Sequence, residues 1–109
     1  MSSCASWQLY VIVDRSACDR HDVAEVAAAA IRGGADVLQL RDKTGTARAV
    51  MEQAHRVLLL ARRAGIPLII NDRVDVARAM GADGVHLGQD DLPVKDARMI
   101  LGPNRLVGK

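Results

Sequence analysis

Four short polar clusters in this sequence carry groups able to grip phosphate and a divalent cation: Asp14-Arg15, Gln39-Leu40-Arg41-Asp42-Lys43, Asn71-Asp72 and Gln89-Asp90-Asp91. Arg presents a planar fork of donors and Lys a compact point charge, and both suit phosphate oxygens. Asp72 and Asp91 offer hard carboxylate oxygens. Mg2+ commonly takes one or two carboxylates, with substrate phosphate and water filling its remaining positions. Arg41, Lys43, Asp72 and Asp91 brought together would hold a Mg2+–diphosphate and stabilise it as a leaving group. Each residue has a plainer reading beside this one. Asp72 stands just before a helical pattern, where an aspartate serves as N-cap. Asp91, ahead of Leu92-Pro93, suits turn and cap chemistry, and an Arg-Asp-Lys triplet is commonly a solvated loop.

What would place these clusters together is the run that precedes each. Short apolar segments at 8–13, 36–40, 67–70 and 84–87 read as buried strands, and a trace of a fifth begins at 105–107. Between them, helical spacing of apolar residues runs over 22–32, 47–64, 73–80 and 93–101. The second of these is the clearest, with Ala47, Val50, Met51, Ala54, Val57, Leu58 and Ala61 on one stripe and Arg48, Glu52, Arg56 and Arg63 facing away. Gly33-Gly34, Gly65, Gly81 and Gly102-Pro103 mark helix ends. The strand 67–70 is apolar throughout, which predicts cover on both faces.

Strand and helix alternate with short polar loops, so the expected fold is α/β with a parallel sheet and right-handed crossovers. In such folds the C-terminal ends of the strands form the active rim, and all four polar clusters fall there. Gly34–Leu40, GADVLQL, is echoed by Gly81–Leu87, GADGVHL, two βα units later. That regularity suits a (β/α)8 barrel better than an open sheet. The expected architecture is therefore one domain over residues 1–109, the N-terminal half of a TIM barrel with about four βα units and the start of a fifth strand. The stop inside a strand-like segment predicts truncation at the C-terminus, and the unpaired strand edges of a half-barrel predict a homo-oligomer.

Composition narrows the function classes. A net charge of +2, scattered arginines and 2% aromatic residues give no nucleic-acid surface. No segment approaches the length of a membrane span, and the first residues do not form a signal peptide. Cys4 and Cys18 have no metal-ligand or redox spacing and are expected as reduced thiols in a cytoplasmic protein. His86 lies within a strand and is expected to face a core or barrel interior. His55 is placed on or beside the buried stripe and His21 in a loop.

Taken together in order, QLRDK at Gln39–Lys43, IINDRVDVA at Ile69–Ala77 and GADGVHLGQDDLP at Gly81–Pro93 resemble the thiamine-phosphate synthase family, and LYVIVD at Leu9–Asp14 is similar to its first strand. The resemblance implies a (β/α)8 transferase acting on small molecules. It would join 4-amino-2-methyl-5-(diphosphomethyl)pyrimidine to 4-methyl-5-(2-phosphoethyl)thiazole, giving thiamine phosphate and diphosphate with Mg2+. It implies that Gln39, Arg41, Lys43 and Asn71 contact the pyrimidine diphosphate, with Arg41 and Lys43 assisting catalysis, and that Asp72 and Asp91 bind the metal. The implied chemistry is dissociative and needs no side-chain nucleophile, in keeping with the lack of a Ser/His/Asp or Cys/His arrangement. It also implies that the thiazole-phosphate contacts lie beyond Lys109. A related thiazole tautomerase and a non-catalytic diphosphate-binding fragment are the competing readings. The joint presence of Gln39, Arg41, Lys43, Asn71, Asp72 and Asp91 favours the synthase.

Overall fold

The computed structural model describes residues 7–18, 21–89 and 91–109 of the chain. Five strands, β1 (Tyr10–Asp14), β2 (Val37–Arg41), β3 (Leu68–Asn71), β4 (Gly84–His86) and β5 (Leu106–Gly108), alternate with four helices, α1 (Val23–Arg32), α2 (Ala47–Ala64), α3 (Val74–Met80) and α4 (Val94–Leu101). The strands are parallel and lie in sequence order. Right-handed crossovers between successive neighbours put every helix on the same side of the sheet. That is the winding of a barrel wall, since a doubly wound sheet reverses its strand order to cover both faces.

The two faces differ accordingly. Val13, Leu38, Leu40, Leu68, Ile70, Val85 and Leu87 point to the helices and join one core with Val23, Ala27, Val50, Ala54, Val57 and Ala61. The α1 and α2 stripes expected from periodicity are the ones buried there, while His55 is exposed and takes no part. Tyr10, Ile12, Gln39, Ile69 and His86 line a cleft on the opposite face, the barrel interior. Ile69 is buried there, so β3 is covered on both faces, whereas Ile12 on the edge strand is 53% exposed. Cys18 is a free, buried thiol donating to the Asp14 carbonyl at 3.2 Å. Burial pushes its pKa up. Cys4 lies outside the described residues. Among the described residues no helix is long and apolar enough to cross a membrane.

The repeated Gly-Ala-Asp has a job in the sheet. Asp36 at the start of β2 accepts from the amides of Gln8 (2.9 Å) and Leu9 (2.8 Å), and its own amide donates to the Leu9 carbonyl. Asp83 at the start of β4 accepts from the Leu68 amide (2.7 Å), and its amide donates to the Leu68 carbonyl. Each aspartate thus pins the entry of the preceding strand and sets register. Arg62 also pairs with Asp83 at 2.8 Å. Leu68 is fully buried and its bond to Asp83 is partly so, so Asp83→Ala removes the acceptor of a largely sheltered donor and should cost about 1–3 kcal/mol. The exposed contacts of Asp36 are replaced by water, so Asp36→Ala should cost less than about 1 kcal/mol. Urea denaturation of the two variants side by side checks this. Equal losses would refute the clamp reading.

Candidate functional site

Each of the first three strands ends in a polar residue on the interior-facing rim. Asp14 and Arg41 are register partners on β1 and β2, and Asn71 and His86 are partners on β3 and β4. Arg41 is ion-paired to Asp14. Asp14 is itself fixed by the Ser16 amide (3.0 Å) and hydroxyl (2.8 Å). That hydrogen bond from Ser16, together with the Arg41 guanidinium, holds the Asp14 carboxyl below the usual range. Arg41 therefore leans toward β1.

Lys43 leans the other way. It sits in the loop after β2, and its Nζ lies 4.0 Å from Asp72 Oδ2. The loop is folded by Asp42, whose carboxylate accepts from the amides of Thr44 (3.2 Å) and Gly45 (2.9 Å) and from Gln53 Nε2 (3.2 Å). A Cβ on Gly45 would stand 2.5 Å from that carboxylate. The central residue of the Arg-Asp-Lys triplet thus builds the loop that presents Lys43. Alternation along an extended segment suggests that Arg41 and Lys43 share a side; the turn at Asp42 instead sends them to opposite neighbours on one rim.

Asp72 occupies two consecutive three-residue turns. Arg73 N donates to Asn71 O at 2.7 Å and Val74 N to Asp72 O at 2.9 Å. The first turn gives Asp72 a φ of 67°, the one positive φ among described non-glycine residues. That is the rarer, strained form of γ-turn. Asp72 is not a helix cap: α3 begins at Val74, after Arg73, with no capping side chain. Its amide donates to the His86 carbonyl (2.8 Å), locking the turn to β4. Asp91 closes the turn after β4 by accepting from the Gly88 amide at 2.6 Å. Turn chemistry therefore takes one of its oxygens, while α4 is preceded by Pro93 and has no side-chain cap.

The Asp72 and Asp91 carboxyls approach each other across the loops after β3 and β4, near enough to interact. Burial and then the hydrogen bond and charge of Asp91 push the Asp72 pKa up, against the pull of Lys43 and Arg73. The Gly88 amide and then the Asp72 hydrogen bond pull Asp91 down. Two carboxyls converging this way, with the Lys43 ammonium beside them, form a site that gains charge balance when a divalent ion binds. Among the described residues no group of three or more His, Cys, Asp or Glu side chains could enclose a metal. A two-carboxylate donor set suits Mg2+, which relies on phosphate and water for its other ligands.

Gln39 and Asn71 lie deeper on the interior face. Asn71 Nδ2 donates to Gln39 Oε1 at 2.9 Å, and Gln39 Nε2 donates to Tyr10 Oη at 2.7 Å. The expected residues thus fall into three linked groups: Gln39 with Asn71, Lys43 with Asp72 and Asp91, and Arg41 with Asp14. Sequence reasoning noted Asp14 and Asp42 on the rim without partners and passed over Tyr10. A strand-to-strand pattern of polar residues at Tyr10, Gln39 and Asn71 was the available signal.

The described fold matches known proteins closely. A solved thiamine phosphate pyrophosphorylase from Pyrococcus furiosus superposes with a TM-score of 0.83 at 35% identity, over 93% of this chain and 48% of that one. The thiamine-phosphate synthase of Roseiflexus sp. (strain RS-1) is 52% identical over 100 residues, 92% of this chain and 42% of the relative. That of Shouchella clausii (strain KSM-K16) is 49% identical over 102 residues, 94% of this chain and 49% of the relative. The chain thus spans half or less of the length of these relatives. The family model for thiamine monophosphate synthase matches residues 9–109, nearly the whole chain. By that match and these identities, the chain belongs to the thiamine monophosphate synthase family.

Proposed function

We propose that this chain carries the pyrimidine-diphosphate and Mg2+ part of a thiamine-phosphate synthase site, in which diphosphate leaves the aminopyrimidine methylene and a thiazole phosphate nitrogen takes its place. The observation that carries this reading is the meeting of Asp72 and Asp91 beside Lys43 on the strand-end rim. Asp72 and Asp91 would hold the cation. When bound, Mg2+ neutralises diphosphate oxygens and stabilises the charge that develops as the diphosphate departs.

The chain's own residues do the rest. Lys43 adds a positive charge beside the metal carboxylates and takes a diphosphate oxygen. Arg41, oriented by Asp14, offers its remaining donors to the diphosphate from the β1 side. Asn71 turns one Nδ2 hydrogen to Gln39 and has a second for a diphosphate oxygen. The amides of Gln39 and Asn71 line the face on which the pyrimidine ring would lie. No proton needs to be removed from a side-chain nucleophile, and none of these residues is placed as one.

Isothermal titration of this chain with the aminopyrimidine diphosphate, with and without Mg2+, tests the reading; binding that ignores Mg2+ would overturn the cation assignment. Diphosphate release on adding the thiazole phosphate separates turnover from binding alone. The affinity should also depend on pH. Cation binding needs both carboxyls ionised, and the folded pKa of Asp72 lies above the free value of about 3.9. Mg2+-dependent affinity should therefore rise as pH climbs from about 4 toward neutrality, with a proton released on binding. Titration in two buffers of different ionisation enthalpy reads that proton. An affinity flat across the window would count against Asp72 as a cation ligand whose pKa is raised.

A further inference from the structure

The Lys43 side chain is 43% exposed, and a long ammonium stem of that kind samples many rotamers unless its backbone is held. Here the backbone is held from two directions. Asp42 Oδ1 accepts from the Thr44 and Gly45 amides, and Asp42 Oδ2 accepts from Gln53 Nε2, which reaches in from α2. On the other side, the Gly45 carbonyl accepts from Arg73 Nη1 at 3.4 Å, next to Asp72 in sequence. The α2 contact has a fixed direction. A carboxylate only accepts, so Gln53 must offer Nε2, and its Oε1 is turned away. That oxygen is buried and has no hydrogen-bond partner among the described residues. A buried acceptor without a donor costs stability, and an apolar side chain at position 53 would carry no such penalty. The Gln53 amide thus works against stability and for the loop. Asp42 itself has both oxygens engaged, and among the described residues it does not join Asp72 and Asp91 in a metal-holding group of three.

We propose that Asp42 and Gln53 are positioning residues, a carboxylate–amide clamp between the loop after β2 and α2 that sets the Lys43 ammonium beside Asp72 for a diphosphate oxygen. The inference rests on the diphosphate reading of Lys43 above. Neither Asp42 nor Gln53 touches diphosphate or metal in this scheme; both act through Lys43. Without the Asp42 carboxylate the Thr44 and Gly45 amides lose their acceptor, the turn opens, and Lys43 is no longer aimed. What the clamp needs from Asp42 is its shape and its acceptors, not its charge.

The test titrates inorganic diphosphate with Mg2+ into the parent chain and its variants. Lys43→Met should weaken binding about 10-fold or more, the scale of one charged hydrogen bond. Asp42→Ala should weaken it about 5-fold or more in the parent but less than about 2-fold in a Lys43→Met chain, where nothing is left to position. Asp42→Asn should regain most of that loss. Its Oδ1 serves both loop amides, and its Nδ2 donates to Gln53 Oε1 once the Gln53 amide turns over, which gives the buried oxygen its donor. Gln53→Met should lower the affinity as well, while melting no earlier than the parent, and it tests the clamp even where Asp42→Ala does not fold. Amide hydrogen exchange at Thr44 and Gly45 reads the loop without ligand: slow in the parent and in Asp42→Asn, faster in Asp42→Ala. An Asp42→Asn chain as weak as Asp42→Ala overturns the clamp in favour of a direct role for the charge. Equal losses from Asp42→Ala with and without Lys43 overturn its action through Lys43, and parent-like affinity in Gln53→Met overturns the part given to Gln53. A Lys43→Met chain that binds as the parent does, or a parent that does not bind, overturns the diphosphate reading of Lys43 itself and the clamp's purpose with it.

Discussion

Asp72→Asn should abolish the Mg2+ dependence of diphosphate binding while leaving the fold at least as stable as the parent. The side chain keeps its size and its hydrogen-bonding reach but loses the charge that a cation needs. Removing one partner from a partly buried charge cluster costs roughly 2–5 kcal/mol, so affinity for the Mg2+–pyrimidine diphosphate should fall at least about 30-fold. Stability should move the other way. The folded pKa of Asp72 is raised by burial and by Asp91. Below the unfolded value of about 3.9 both states are protonated and folding carries no penalty. Above the folded pKa the native state must hold two like charges, and the penalty is fully present at neutral pH. Asparagine removes it, and its Nδ2 can donate to Asp91, which keeps the Gly88 amide as well.

The backbone makes this substitution the informative one. At φ 67° alanine is strained, by about 1–2 kcal/mol, whereas asparagine visits that region readily. Asp72→Ala would mix backbone strain with charge removal, but Asp72→Asn separates them. Thermal denaturation at neutral pH and titration with Mg2+ read the two effects on one sample. An Asp72→Asn chain that binds as tightly as the parent would remove Asp72 from the metal site. One that unfolds more readily would show that its carboxylate serves the structure.

The strands and helices were legible in the sequence because their boundaries are written locally, in Gly33-Gly34, Gly65, Gly81 and Gly102-Pro103. The small errors share a cause. Asp14, Arg41 and Asn71 read as polar punctuation after their strands, yet each is the last residue of the ladder. A strand end on a barrel rim can be polar because its side chain faces the open interior, not the core. Gln8 and Leu9 read as strand, but their amides go to the Asp36 side chain, so β1 starts later.

The site was legible as residue types and not as connections. Arg41 meets Asp14 across 27 positions, and Asn71 meets Gln39 across 32. Such partners follow from which strands are neighbours and in what register, which periodicity does not give. The conformation of Asp72 was hidden for another reason. A positive φ is usually announced by glycine, and here the turn between β3 and α3 imposes it on an aspartate. The strained residue is the one with a carboxyl facing Asp91, in keeping with strain gathering where a group must be aimed.

Gly84→Ala should be the most destabilising small substitution in the sheet. A Cβ at this position would lie 2.2 Å from the Leu106 carbonyl oxygen and 2.8 Å from its carbon, and both belong to backbone. No rotamer change relieves that contact, so β5 must move away from β4. Two hydrogen bonds are then at risk, Leu106 N to Asp83 O (2.8 Å) and Leu87 N to Gly108 O (2.9 Å). Overpacking of about 1–3 kcal/mol and about 0.5–1.5 kcal/mol per lost bond give a loss of roughly 2–5 kcal/mol, a large share of a small domain's stability. The effect should be local at first. β4 is still held on its other side, where Asp72 N donates to His86 O at 2.8 Å. Hydrogen exchange should therefore speed up at Leu106 and Leu87 while Leu38 and Asp72, whose amides bond away from β5, stay protected, and urea denaturation should give the overall loss. Because Asp83 pins β3 through a separate oxygen, on its side chain, Gly84→Ala should leave the Leu68 amide bonded. A change below about 0.5 kcal/mol, the size of an ordinary surface substitution, with Leu106 still protected, would mean that β5 has room to spare and that glycine is not required there.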